Sequence, residues 1–490
     1  MGSVSAHVTA FRSRGCIETV SHRPNARLAM NDSVHVATAG APRGSPAGSP
    51  LVGAPLLPTM MRLAVPGVLG AMIQMLLIVV EAWFLSRAGT TALAAVATVF
   101  PLVMLANMLS AGAIGGATSG AVARALGAAD LLRAQSILRS AILIAVVGGV
   151  VMGVFVLILG PIFFYWLGAR DDVLAAASHY SRIVFAGVPL LWLFNMLCSV
   201  LRGAGDMARA AMAMASVVLA YSLFGAWLIP AAGPTTSLND TMGAAACSML
   251  LAYGVGIATV LTLILRPGQP IRLKVQAIDW SVVGAVLRPG LLAGSQSIVT
   301  ILYSLIATGL LGHFGVEWLA GYGLAMRLEL VMVPVIFGIG ATLIAIVGAY
   351  AGAEQRTRAI EVAWRGTIAN IAIVGAIGFA VALNPQWWCG SLGSSPAVIA
   401  HCSTTLQTLG PFYGFFAAGL GLYFASQGLN TLAWPVLGAL LRTLIVASGL
   451  IWLGNDVLVT PQGLLWLVAS AMSFYGIFVV AALRLKAWRA

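Results

Sequence analysis

Charged side chains are scarce in this chain of 490 residues: they make up 8% of it, whereas hydrophobic residues make up 60%. A water-soluble globular protein carries about 25% charged residues, because its surface must stay hydrated. The shortage excludes a soluble enzyme, a nucleic-acid-binding protein and a disordered chain. The apolar stretches run to about 20 residues without alternating polarity, so they predict membrane-spanning helices and not a β-barrel.

Lysine is almost absent as well: it occurs only at Lys274 and Lys486, and neither follows a glycine. The chain therefore lacks the Gly-rich phosphate-binding motif that ends in Gly-Lys-Ser/Thr, which excludes an ATP-driven pump of the P-loop kind. No His-Glu-x-x-His motif is present either. We expect a protein that is not an enzyme, with no resident cofactor or metal and no nucleic-acid partner.

Twelve apolar segments follow an N-terminal tail. We expect the tail, residues 1–57, to be disordered, because it is rich in Ser, Ala, Gly, Pro and Arg; an over-long start or an organellar transit peptide fits the same composition. Each segment is long enough to cross about 30 Å of hydrocarbon at about 1.5 Å per residue. The predicted spans are Leu63–Ser86, Thr91–Ala117, Ser140–Leu167, Val173–Leu201, Met207–Ile229, Met242–Leu265, Gly284–Leu311, Glu317–Ala349, Ala359–Leu383, Val398–Ser426, Leu432–Leu453 and Pro461–Leu483.

The positions of the arginines test the predicted number of spans. If the N-terminus is inside, the outer loops carry only Arg87 and Arg170. That asymmetry follows the positive-inside rule along the whole chain, and it predicts a multi-pass membrane protein with both termini in the cytoplasm. We expect its location to be the bacterial inner membrane. The inner segments contain Arg124, Arg133, Arg139, Arg202, Arg209, Arg266, Arg272, Lys274, Arg288, Arg356, Arg358, Arg365, Arg484, Lys486 and Arg489.

The two halves of the chain resemble each other. "PGVLGAMIQ" from Pro66 is echoed about six helices later by "PGLLAGSQ" from Pro289. An even number of helices per repeat means that both repeats enter the membrane from the same side. We therefore predict an all-α integral membrane protein whose twelve transmembrane helices form two six-helix bundles, residues 58–270 and 271–490. A pseudo-two-fold axis along the membrane normal relates the bundles, which enclose a central cleft, as in an alternating-access carrier.

Only two of the fourteen acidic residues lie well within apolar spans: Glu81 and Glu329. A carboxylate at membrane depth costs at least about 2–3 kcal/mol, so it marks a functional site by default. Burial disfavours the charged form of a carboxyl group, which allows it to bind and release a proton. We predict that Glu81 and Glu329 couple transport to a cation. Interfacial anchoring of Glu81 and structural ion pairing of Glu329 are the alternatives.

Polar residues at helical spacing predict the wall of the cleft. Gln74 lies two turns before Glu81 on one helix face, and its counterparts in the second half are Gln296 and, seven residues later, Tyr303. Hydrogen bonding between helices, worth about 0.6 kcal/mol in membranes, is the alternative role.

Further polar residues lie in the predicted spans. Arg327, two residues before Glu329, faces another side of its helix, so each needs another partner, and Arg442 is one candidate for Glu329. Asn107, Asn195 and Asn370 are also polar, with structural hydrogen bonding as the simpler role of each. We include Arg327 and Asn195 among the predicted cleft residues.

Two of the five cysteines, Cys389 and Cys402, fall in or beside one predicted outer loop. They could form a disulfide if that side of the membrane is oxidising.

Four segments, found in order after the tail, resemble the multidrug and toxic compound extrusion (MATE) family. They are "VVEAWFLSRAGTTALAAV" around Glu81, "GAVARALGAADLLRA" from Gly120, "LRGAGD" from Leu201 and "RLELVMVPVIFGIGA" from Arg327. The resemblance implies two similar six-helix bundles. It also implies antiport of amphipathic, often cationic compounds against H⁺ or Na⁺ across the inner membrane.

The first helix of the family typically bears an aspartate that binds the coupling ion, and here that position is Glu81. The fifth span lacks the Asn and Asp of many members, and the seventh and tenth spans contain no acid. A Na⁺ site would be short of oxygen ligands, so we expect proton coupling. We expect a monomer in the lipid bilayer that exports small organic molecules.

A flippase for lipid-linked precursors, from a related class of bundle proteins, is the alternative. It would require a strongly cationic cleft facing a pyrophosphate, for which Arg327 and Arg442 offer limited support.

Overall fold

The computed structural model describes residues 49–229, 237–266, 276–393, 395–454 and 460–488, and these residues contain helices and turns but no β-strand. Residues 1–48 of the predicted tail lie outside the described residues. The first lobe consists of α1 (Leu56–Ser86), α2 (Thr90–Asn107), α3 (Ile114–Gly127), α4 (Leu131–Trp166), α5 (Asp171–Ala186), α6 (Val188–Gly203), α7 (Met207–Leu228) and α8 (Leu238–Leu265).

The second lobe begins after residue 275. It consists of α9 (Trp280–Gly312), α10 (Val316–Gly352), α11 (Arg356–Leu383), α12 (Gln386–Leu392), α13 (Pro396–Leu409), α14 (Tyr413–Leu429), α15 (Ala433–Gly454) and α16 (Pro461–Ala482).

The predicted spans coincide with these helices. Ten helical segments of the described chain are long and apolar enough to cross a membrane, when α2 to α3 is counted as one segment. The pair α5–α6 makes an eleventh span, which is bent by 50°. The bend falls at Gly187–Pro189, because proline lacks the N–H that would continue the helical hydrogen bonds. The predicted span 398–426 is likewise divided, by a 3₁₀ turn at Gly410–Phe412 between α13 and α14. The all-α fold with two lobes is therefore confirmed.

The predicted span 91–117 also differs from a regular α-helix. Between α2 and α3 the chain forms a π-helical segment, Met108–Ala113. Isolated π segments inside α-helices are frequent at functional sites. This one contacts α9 of the second lobe.

One hydrophobic core is formed mainly by the first lobe and also contains Val282, Val283 and Val286 at the start of α9. A second core is formed mainly by the second lobe, and a third joins the lobes at one end. In the third core, Leu63 and Met207 of the first lobe pack with Leu343 and Tyr350 of the second. Arg124, Arg133 and the turns after α3, α6 and α10 lie at the same end, which we call the basic end. The lobes are thus packed together at the basic end.

Residues 49–55, within the predicted tail, also pack at the basic end. The backbone N–H of Ser49 donates to the carbonyl of Leu126 at 3.1 Å, and Leu51 is buried in the third core. The N–H of Gly53 donates to the hydroxyl of Tyr350 at 3.3 Å. This described part of the predicted tail therefore contacts both lobes.

Small residues let the helix backbones of the two lobes approach closely between the membrane interior and the basic end. A methyl group at Gly338 of α10 would lie 2.4 Å from the backbone nitrogen of Val68 in α1. A methyl group at Gly352 would lie 2.0 Å from the carbonyl oxygen of Arg124. The Arg124 guanidinium donates to the carbonyls of Gln427 and Gly428 at 3.0 and 2.7 Å. These contacts close the space between the lobes at this end.

Cys389 of α12 and Cys402 of α13 form a disulfide, with their Cα atoms 5.9 Å apart. The sequence had placed this pair in or beside one outer loop, and the bond lies at the end of the molecule opposite the basic end.

We expect Gly338→Ala to separate the lobes at the basic end, because its methyl group would overlap the α1 backbone. Overpacking of this kind costs about 1–3 kcal/mol, which favours conformers in which this end is open. Spin labels at Ser136 of α4 and Ala285 of α9, which line one small surface pocket between the lobes, would report a longer distance.

The matched control is Gly323→Ala in the same helix, where a methyl group would have no atom within 4 Å. An unchanged distance in Gly338→Ala, or an equal change in both variants, would contradict this account of the closed end.

Candidate functional site

A cavity of about 370 Å³ lies between the lobes. Its volume is typical of a site for a small organic ligand. Val79 of the first lobe and Leu330 of the second line it and are 61% and 40% exposed, so the cavity opens between them, away from the closed basic end. Most of its wall is apolar and aromatic, including Met75, Phe100, Met104, Met249, Phe337, Phe416, Leu420 and Phe424.

Among the described residues that line the cavity, Glu81 is the only acidic one. It is 7% exposed and lies near the C-terminal end of α1. The hydroxyl of Tyr180, from α5, donates a hydrogen bond to Glu81 Oε1. Tyr253 and Met249 of α8 complete the surrounding wall. Three helices of the first lobe therefore hold one carboxyl group against an apolar cavity, where it can exchange a proton with solvent in the opening.

A polar network continues from the same wall toward the basic end. The amide of Gln74 donates to Asn107 Oδ1 at 3.1 Å, and the amide of Asn195 donates to the same oxygen at 3.1 Å. Asn195 also donates to the hydroxyl of Ser110 at 2.9 Å. Gln74 and Asn107 line the cavity, whereas Asn195 lies behind Asn107 and is buried. Asn195 therefore fixes the position of Asn107 but does not itself line the cavity.

The second lobe contributes a different set of polar groups. Gln296 of α9 lines the cavity, and its amide donates to the hydroxyl of Tyr475 at 3.3 Å. Arg442 of α15 lines the cavity and is 2% exposed. Its guanidinium lies 4.0 Å from the ring centre of Tyr303, which sits behind the wall. The two lobes thus present opposite charges to one cavity.

Gln74, Glu81 and Gln296 therefore lie together on the cavity wall, as the helical spacing predicts. The other predicted residues do not reach it. Tyr303 and Asn195 are one layer behind, and Arg327 is exposed one turn before Leu330, the first lining residue of α10. The expectation that Arg327 lines the cleft is corrected for this reason.

Glu329 is partly buried and is likewise not among the lining residues. It interacts electrostatically with Arg442, the partner suggested by the sequence, but the described ion pairs include neither residue. A coupling role for Glu329 remains a prediction.

Sequence reasoning did not identify Tyr180 and Tyr475 as functional candidates. Each approaches its partner from a distant helix, so no spacing within one helix signals it. Asn107 was noticed but given only a structural role, because the π segment that follows it was not foreseen.

The described residues contain no group of three or more His, Cys, Asp or Glu side chains that could hold a metal ion.

Comparisons with known proteins match this architecture. The MatE family model matches residues 66–228 and 293–452, one segment in each lobe. The FAD transporter of Shewanella oneidensis is 25% identical over 323 residues, which cover 63% of this chain and 68% of that protein. The probable multidrug resistance protein NorM of Thermotoga maritima is 22% identical over 386 residues, covering 77% and 81%.

A solved structure shares the fold. It is described as the outward-facing conformation of a multidrug resistance MATE family transporter of the MOP superfamily. It superposes with a TM-score of 0.81 at 20% identity and covers 91% of this chain and 100% of its own.

We expect Asn107→Ala to destabilise the first lobe. The substitution removes the shared acceptor of Gln74 and Asn195, and a buried donor left without its acceptor costs about 1–3 kcal/mol. That exceeds the average of about 0.6 kcal/mol for hydrogen bonds in membrane proteins. The free energy of unfolding of the detergent-solubilised protein would measure the loss.

Asn384→Ala is the control, since Asn384 is exposed after α11. Its effect should stay within about 0.5 kcal/mol. Equal effects of the two substitutions would show that the network contributes nothing beyond an ordinary surface position.

Proposed function

Because the chain belongs to the MatE family, the multidrug and toxic compound extrusion transporters, we propose that it exports amphipathic organic molecules in exchange for protons. The observation that carries the proposal is the position of Glu81. It is a buried carboxyl group on the wall of the cavity between the lobes, near the mouth. A carboxyl group in such surroundings binds or releases a proton as its access to water changes.

The proposed cycle follows from the charge on Glu81. When deprotonated, Glu81 attracts the cationic group of a substrate that enters from the cytoplasm. After the lobes close at the basic end, a proton from outside neutralises Glu81, and the substrate loses this attraction and leaves through the mouth. The return step exposes Glu81 to the cytoplasm, where the proton is released.

The surroundings of Glu81 favour a proton over Na⁺. Hard cations require several oxygen ligands. Near Glu81, the oxygen atoms of the described cavity wall are the hydroxyl groups of Tyr180 and Tyr253. Met249 and valine side chains are also part of the wall and supply no oxygen ligand. One carboxyl group with an apolar surround suits protonation better than coordination of Na⁺.

Two features support an orientation with both termini in the cytoplasm. The arginine-rich turns lie at the basic end, as the positive-inside rule requires of the cytoplasmic side. The disulfide lies at the other end, and disulfides persist in oxidising compartments such as the bacterial periplasm. Closure at the basic end would then make this conformation outward-open. One chain supplies both walls of the cavity, so we propose that a monomer suffices.

The substrate is proposed to be a small organic molecule. The similar proteins are a FAD transporter and a probable multidrug resistance protein, and both names agree with organic cargo. The apolar, aromatic wall suits such cargo. A flippase would need a strongly cationic cleft, whereas Arg442 is the cationic residue of the described lining.

We expect Glu81→Gln to abolish export driven by a pH gradient, because the amide keeps the shape but cannot bind the proton. In inverted membrane vesicles with an acidic lumen, the wild type should accumulate the organic cation rhodamine 123. The uptake rate of the variant should be at least about tenfold lower. This factor corresponds to the loss of an interaction worth about 1.4 kcal/mol or more. A sodium gradient without a pH gradient should drive no uptake.

Glu317→Gln is the matched control, because Glu317 is an exposed acid in the first turn of α10. It should transport at the wild-type rate. Undiminished pH-driven export by Glu81→Gln would remove Glu81 from the mechanism, and uptake driven by sodium alone would refute proton coupling.

A further inference from the structure

The described wall of the cavity carries one acidic and one basic residue, and they belong to different lobes. Glu81 lies on α1 of the first lobe, and Arg442 lies on α15 of the second. The proposed cycle uses Glu81 and leaves Arg442 without a role. A buried guanidinium on a ligand cavity requires explanation, because desolvation of a charge is costly unless a partner compensates for it.

Aromatic rings hold Arg442 in place. Its guanidinium carbon lies 4.0 Å from the ring centre of Tyr303, 5.1 Å from that of Tyr475 and 5.6 Å from that of Phe416. These cation–π contacts stabilise the charge and fix the side chain. They offer no oxygen acceptor for its N–H groups, and Nε has no hydrogen-bond partner among the described residues.

The nearby acid does not neutralise Arg442 by direct contact. Glu329 of α10 interacts with it electrostatically but forms no ion pair with it. The ion pairs of the described chain join residues three or four positions apart in the sequence, outside the cavity. Arg442 therefore keeps donors available to a ligand.

A second polar group with unused hydrogen-bonding capacity lies on the same wall. Gln296 is 4% exposed, and its Oε1 has no partner among the described residues. Its amide donates to the hydroxyl of Tyr475, whose own proton remains available for another acceptor. Arg442 and Tyr475 can thus both donate to an oxyanion in the cavity.

We infer that Arg442 determines substrate specificity by binding a carboxylate of the cargo. The preferred cargo is an aromatic zwitterion: its carboxylate pairs with the guanidinium, its cationic group is directed to Glu81, and its ring packs against Phe337 and Phe424. A planar guanidinium forms two parallel hydrogen bonds with a carboxylate. This inference rests on the proposed function, because it names the substrate class of the same cavity.

Zwitterionic cargo would also connect the two lobes. Its charges meet partners on opposite walls, so binding bridges the cavity while Glu81 is deprotonated. Protonation of Glu81 removes one of the two attachments and leaves the carboxylate on the second lobe. The proposed exchange with protons is thus retained for this cargo.

Two dyes that differ in one methyl group provide the test. Rhodamine 110 has a free carboxylate beside a cationic xanthene ring, and rhodamine 123 is its methyl ester. Binding to the purified full-length protein in detergent, without any gradient, is measured by fluorescence anisotropy. The wild type should bind rhodamine 110 at least about tenfold more tightly than rhodamine 123. A difference of this size is expected from one hydrogen-bonded charge pair.

The discrimination should depend on Arg442. In Arg442→Gln the ratio of the two dissociation constants should fall to about one through weaker binding of rhodamine 110, with rhodamine 123 affected little. Arg442→Lys keeps the charge without the planar fork and should restore part of the ratio. Arg288→Gln, an exposed arginine of α9 that is not among the lining residues, is the control and should keep the wild-type ratio.

Equal binding of both dyes by the wild type, or an unchanged ratio in Arg442→Gln, would overturn the inference. If Arg442→Gln binds neither dye, Arg442→Lys decides: a partly restored preference for rhodamine 110 supports the inference, and loss of both dyes there overturns it. The proposed function has a separate readout. It fails if pH-driven export of rhodamine 123 is absent, whatever the binding ratio.

Discussion

A membrane interior offers no water, so every polar group within it must find a partner in the protein or in a water-filled cavity. With so few charged residues, each buried one has structural consequences. In the first lobe the hydroxyl of Tyr180 donates a hydrogen bond to Glu81, and Asn107 accepts hydrogen bonds from Gln74 and Asn195. In the second lobe aromatic rings surround Arg442. The polar groups thereby fix how the helices of each lobe pack around the cavity.

Packing between the lobes follows a different rule. Apolar surface gains little from association in lipid, so close contact depends on small residues that let backbones approach. The contacts at Gly338 and Gly352 have this character, and Arg124 adds hydrogen bonds to carbonyls at the end of α14. Together with the third hydrophobic core, these contacts lie on one side of the cavity, so the lobes can separate there as rigid units. This is what alternating access requires of the closed end.

The sequence predicted much of the fold because hydropathy and arginine placement report directly on the bilayer. The helices and the two lobes follow from local patterns, whereas the positions of Cys389 and Cys402 had left their pairing open. The breaks inside spans were not predicted, although Pro189 lies at one of them. Gln74 and Glu81 were predicted from their spacing on one helix, and Gln296 was predicted from the repeat between the two halves. Tyr180, Tyr475 and the cage around Arg442 depend on contacts between distant helices, which a single sequence does not encode in any spacing.

The distribution of charge between the lobes has a mechanical consequence. If both charges of the cavity lay in one lobe, cargo could bind there without affecting the other lobe. With Glu81 and Arg442 on opposite walls, a cargo that contacts both is sensitive to the separation of the lobes, so its affinity must change as they move. A ligand shifts a conformational equilibrium only through such a difference in affinity. Specificity and coupling would then have one physical origin, the distance between two oppositely charged side chains.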